Sequence, residues 1–188
     1  MNLASYADST GAMPQSGVSL HAISVGTYLQ ILPALSGMID KAEAFCREAG
    51  SEGSAMAEAC LAADMWPFAK QVTSAVHHSA GTIRGLRLGE LAPELEPAPL
   101  DLPVLRQLVI DAIAFLQSVT PAEIDAMMGR DMRFALGSRR MDFTAEDFIL
   151  TFSLPNFYFH ASTAYGVLRN QGVPLGKADF LGQLRLKS

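Results

Sequence analysis

Leu32, Leu35, Ile39, Ala42 and Cys46 recur at steps of three and four residues, which places them on one face of an α-helix. The helix starts near Ser24 and stops at Gly50, a residue free to take the left-handed conformation that ends helices. A second stripe, Phe68, Val72, Ala75, Ser79, Ile83 and Leu86, follows an opening at Asp64 and Pro67. A third, Leu105, Leu108, Val109, Ala112, Ile113 and Leu116, follows Asp101 and Pro103. The last helix runs from about Pro155 to Asn170 and ends at Gly172. Stripes of similar length in series are best buried against one another, so the sequence predicts an all-α chain built as an antiparallel four-helix bundle.

The segments between these helices are shorter and less regular. Ser51–Ala63 predicts a short connecting helix, and Thr120-Pro121-Ala122-Glu123 has the pattern of a capping box opening another. Arg87–Asp101 carries three prolines and alternating acids and reads as a long crossover. From Asp131 to Phe143 the period changes to two, with Met132, Phe134 and Leu136 alternating before a Gly-Ser turn, then Met141 and Phe143. That is a small β-hairpin insert. Met1–Gly17 is small, polar and unpatterned, and reads as a flexible tail ahead of a single domain over residues 18–188.

Composition narrows the possible partners. The formal charge is −5 and the longest basic run is Arg139-Arg140, too little convergent cation to hold a phosphate backbone, so nucleic acid is not expected. No charged side chain occurs from Ser9 to Ile39, but glycines, Pro14, Pro33, Gln15 and Gln30 interrupt that run and no basic residue precedes it. It fits neither a spanning helix nor a signal peptide, so a cytoplasmic protein with no membrane partner is expected. Cys46 and Cys60 are the only cysteines and read as reduced thiols. An apolar fraction of 49% with 18% charged residues suggests a filled helical core together with a buried subunit interface.

Candidate chemistry concentrates in "LPNFYFHASTAYGVLRNQGVPLGKADFLG", Leu154 to Gly182. Asn156, His160 and Thr163 share a helical face, Tyr165 lies in the same segment, and His78 stands at the edge of the second stripe. Asn156 and Thr163 can hold the imidazole in one tautomer, with His78 approaching from the second helix. A single interior histidine flanked by Asn and Thr is satisfied by hydrogen bonds without any metal. Two histidines and an amide make a poor zinc or nickel site, which calls for three good ligands. No dinucleotide fingerprint, Walker loop, nucleophile elbow or C-x-x-C pair is present.

"LSGMIDKAEAF", "ADMWPFAKQV" and above all the Leu154–Gly182 passage resemble an uncharacterised bacterial family, number nineteen-ninety-three in the domain-of-unknown-function series. The resemblance runs from Ser19 to Gly182. It implies membership of the DinB/YfiT-like superfamily of metalloenzymes, hence up-down-down-up connectivity and commonly a homodimer. Metal-binding members use a histidine of the second helix and an H-x-x-x-H pair on the fourth. On this chain that pair falls at Asn156 and His160, so its first member is replaced. Two functional readings follow. One is a metal-free bundle that binds an unknown small molecule or acts as a dimeric interaction module, with no cofactor. The other is a divergent metal-dependent enzyme of the thiol-transferase or hydrolase type, with His160 and His78 on a divalent ion such as Zn or Ni.

Overall fold

The computed structural model describes residues 17–187. The tail expected over Met1–Gly17 therefore lies outside the described residues, apart from exposed Gly17. A single turn, α1 (Leu20–Ile23), leads directly into α2 (Val25–Ala49). Ser24 stands at the junction as expected, but its hydroxyl donates back to the Leu20 carbonyl (2.6 Å), and the side-chain cap belongs to Ser19 on α1. Gly50 ends α2 in the left-handed region, with φ at 65°. The helix continues through Pro33, whose ring faces solvent, and all five stripe residues are buried. By length and composition Leu20–Ala49 could cross a membrane; here half of its most apolar stretch is buried against the rest of the protein.

After α3 (Gly53–Glu58) the second long helix begins at Phe68, later than the sequence suggests. Pro67 remains extended, so Asp64 and Pro67 precede the first helical turn. This helix has three parts: α4 (Phe68–Val76), a π-helical turn over His77–Gly81, and α5 (Thr82–Leu88). Its whole expected stripe is buried. α6 (Leu102–Gln117) is capped by the Asp101 carboxylate, which accepts from the Val104 amide. Leu108, expected in its core stripe, is exposed; the buried line is Leu105, Val109, Ala112 and Leu116, a narrower face. α7 (Pro121–Asp125) begins with Thr120 accepting from the Glu123 amide, while the Glu123 carboxylate pairs with Arg87 instead of closing the box.

The hairpin forms as β2 (Asp131–Leu136) and β3 (Arg139–Thr144), and the crossover adds a strand that periodicity did not reveal, β1 (Glu90–Leu91), parallel to β2. The fold is thus mostly helical with a three-stranded sheet. Gly85 permits this docking, because a Cβ there would sit 3.0 Å from the Glu90 carbonyl and 3.1 Å from Leu91. On the sheet's inner face Phe134 and Phe143 meet Phe152 and Phe148 with ring centroids 4.7 to 6.0 Å apart. Thr144 caps α8 (Ala145–Asp147), a second π-helical turn spans Phe148–Ser153, and α9 (Leu154–Asn170) follows without a break at Pro155. Pro155 stands in the first turn of α9, directly after the widened turn. α10 (Lys177–Leu181) closes the chain, tied to α2 by Lys41–Asp179 and by Gln30 donating to the Leu181 carbonyl.

α2 packs against α6 and α4 against α9, with further contacts of α4 with α6 and α2 with α9. Where these helices meet, the Ser153 hydroxyl donates to the His78 carbonyl (2.7 Å) and accepts from Tyr28 (2.7 Å) and Thr82 (2.9 Å). The carbonyl can only accept, so all three protons are assigned. Burial pushes the Tyr28 phenol well above its usual range, which keeps it a neutral donor. Ser153→Ala strands two hydroxyls and a carbonyl in an apolar interior. It is expected to lower the unfolding free energy by about 2–4 kcal/mol, and Tyr28→Phe by about 1 kcal/mol, in urea denaturation.

Candidate functional site

A cavity of about 460 Å³ opens between α4 and α9, roofed by the sheet and by the loop around Glu94. Its polar groups come from α4 and its π turn (Lys70, Gln71, Ser74, His77, His78), from α9 (Asn156, His160) and from the connecting segments (Asp64, Glu94). Phe134, Phe152, Phe159 and Trp66 supply the apolar surface. Such a volume suits a small molecule.

His160 is the centre of the arrangement. Its imidazole lies nearly parallel to both Trp66 (centroids 5.7 Å, planes at 8°) and His78 (5.6 Å, 13°). Its Nδ1 lies 2.8 Å from Oε1 of Gln71, whose amide nitrogen donates to the Trp66 carbonyl at 3.0 Å. A backbone carbonyl can only accept, so the Gln71 NH₂ must face Trp66 and its Oε1 must face His160. Nδ1 therefore carries the proton. The lone pair of the neutral ring is on Nε2, since the ring's one hydrogen bond to protein among the described residues is made by Nδ1.

Burial lowers the His160 pKa to about 4, helped by nearby His77 and Lys70 and opposed by Glu94. Burial likewise lowers His78 to about 3, with His77 and His160 adding to it, and His77 is lowered chiefly by desolvation. All three rings are neutral at physiological pH. His78 Nδ1 and His77 Nε2 are buried without a hydrogen-bond partner. Lys70, the one cation among the described residues lining the cavity, is fully engaged. It donates to the Glu94 carboxylate (3.1 Å), the Glu94 carbonyl (3.1 Å) and the Glu96 carbonyl (3.3 Å).

The residues singled out from the sequence separate into two groups. His160 and His78 meet, and Asn156 lines the same cavity. Asn156 and Thr163 do not orient the imidazole, however. Each bonds the carbonyl four residues back on its own helix, Phe152 and Phe159 respectively, which satisfies a short polar side chain without any tertiary partner. Tyr165 lies away from the cavity, packed edge-on to Phe180 with centroids 6.0 Å apart. Gln71 and Trp66 were not anticipated, although both fall in "ADMWPFAKQV". A carboxamide on the flank of an apolar stripe was the available signal.

Residues 20–181 match the family described as "Domain of unknown function (DUF1993)". The chain belongs to this family. A crystal structure of a DinB family member from Shewanella denitrificans is similar to it, with 26% sequence identity and a TM-score of 0.75 over 90% of this chain and 95% of that one. Among curated proteins nothing matches significantly.

DinB-like proteins raise the question of a metal, and the donors of this DUF1993 chain fit one poorly. A metal must lie in the plane of each imidazole at about 2.0–2.1 Å from nitrogen. His78 and His160 supply two imidazoles, nearly parallel with centroids 5.6 Å apart, and Gln71 holds Nδ1 of His160 so that only its Nε2 is left to donate a lone pair. Among the described residues no group of three or more His, Cys, Asp or Glu side chains is disposed to hold an ion.

The depressed histidines carry a pH signature. Protons bind the unfolded imidazoles near pH 6.5 but the folded ones only near 4 and 3. Their contribution is complete above pH 6.5 and is lost as pH falls through the folded values. Urea midpoints are expected to drop steadily from pH 7 to 4.5. His78→Phe, which removes an unpartnered ring nitrogen, is expected to flatten that slope while leaving the pH 7 midpoint nearly unchanged.

Proposed function

We propose that this protein is a metal-free, small-molecule-binding member of the DinB-like helical proteins, with its ligand seated between α4 and α9. The supporting observation is the imidazole stack at a cavity of ligand size, held in one tautomer and neutral at physiological pH. A DinB-like neighbour and the paired contacts of α2 with α6 and α4 with α9 support a four-helix bundle of up-down-down-up connectivity. The ligand site then lies between two helices of the bundle, a common position for such sites.

The competing reading is a metal-dependent enzyme of the thiol-transferase or hydrolase type, with a divalent ion on His160 and His78. It requires the His78 ring to bring a lone pair to the side of Nε2 of His160, while the Gln71 bond to Nδ1 can stay and would fix that ring as a ligand. Elemental analysis of protein purified without a histidine tag, and calorimetric titration with zinc and nickel, distinguish the two. The expected result is no stoichiometric ion and no micromolar binding. An equivalent of metal that disappears in His160→Ala would overturn the metal-free reading.

The protein acts as a cytoplasmic homodimer in this proposal. Exposed apolar side chains, among them Leu61, Leu150, Tyr158 and Phe159, offer surface for a subunit contact. Sedimentation equilibrium is expected to give twice the chain mass; a monomer at high concentration would refute the dimer.

A further inference from the structure

We propose that the cavity selects neutral aromatic molecules bearing an O–H or N–H donor, such as phenols and arylamines, which donate to Nε2 of His160. This rests on the reading of the cavity as a small-molecule site. His160 has one unmatched hydrogen-bonding valence. The Trp66 carbonyl orients Gln71, Gln71 fixes the proton of His160 on Nδ1, and Nε2 is left as an acceptor without a protein donor among the described residues. A group that brings a proton completes this chain of hydrogen bonds; an ether cannot.

Charge selects in the same direction. All three ammonium protons of Lys70 are committed to Glu94 and Glu96, and the other charged side chains lining the cavity, Asp64 and Glu94, are acids. A carboxylate or phosphate entering there would lose its hydration and gain no cation. The apolar walls are aromatic: Trp66, Phe134, Phe152 and Phe159. They favour a flat ring by stacked and edge-on contacts.

Calorimetric titration with 2-naphthol, 2-methoxynaphthalene and 2-naphthoate tests this. These probes share one ring system and differ in carrying a donor, an acceptor without a proton, and an anion. The naphthol is expected to bind about tenfold more tightly than the ether, the worth of one hydrogen bond to an acceptor that has no protein donor, and the naphthoate not at all. His160→Phe should bind naphthol and ether alike. Gln71→Leu, which frees the imidazole to move its proton to Nε2, should shrink their ratio. Equal binding of naphthol and ether by the unaltered protein, preference for the naphthoate, or an unchanged ratio in Gln71→Leu would overturn the donor rule and leave the cavity a ligand site. Failure of all three probes to bind would overturn the ligand-site reading and the donor rule together.

Discussion

The Ser153 hydroxyl is the fixed point of this protein. It joins α2 through Tyr28, the second long helix through both Thr82 and the His78 carbonyl, and the last helix through its own backbone. One donor and two acceptor sites are all that a hydroxyl has, and all are used. The bond to His78 also ties the two π-helical turns directly to each other, since His78 lies in the first and Ser153 ends the second. A π turn carries one extra residue and widens the helix, usually at some cost in regularity. Here the two widened turns are clamped together, which fixes the backbone carrying His78 beside His160.

The second set of constraints acts at the ring itself. Apolar burial alone would keep His160 neutral but would leave its two tautomers nearly equivalent. The Trp66 carbonyl breaks that equivalence through Gln71, because it tolerates only the NH₂ end of the amide. Trp66 thus acts twice, with its carbonyl setting the proton and its indole covering the face of the imidazole. Hydrogen bonding decides direction while stacking decides position.

The helices were legible in the sequence because burial forces a 3.6-residue period on apolar side chains. All of Leu32, Leu35, Ile39, Ala42 and Cys46 are buried, and Gly50 ends its helix as its lack of a Cβ suggested. The β-hairpin was legible for the same reason, with Met132 and Phe134 turned inward. Glu90–Leu91 was not, because a two-residue parallel strand has no period of its own and exists only where Gly85 lets it dock beside β2. The π turns were invisible because a shift in backbone bonding leaves the apolar pattern almost unchanged. At the site, helical spacing correctly put Asn156, His160 and Thr163 on one face but could not say which group each would bond. Two of them bonded their own backbone, and the partner of His160 came from 89 residues away.

That outcome bears on what the last helix can do. The resemblance places the first histidine of an H-x-x-x-H pair at Asn156, and an amide there binds metals weakly. Its nitrogen is in addition occupied by the Phe152 carbonyl, so Asn156 contributes little beyond a polar edge to the cavity. With that ligand gone, an imidazole at position 160 could in principle still turn either nitrogen to a metal. Gln71 takes one of those nitrogens and leaves Nε2, and the nearly parallel rings of Trp66 and His78 pack beside the imidazole. What is left at position 160 is one oriented acceptor, beside the unpartnered nitrogens of His77 and His78, in a cavity with aromatic walls. Such a group is suited to reading the proton of a neutral ligand.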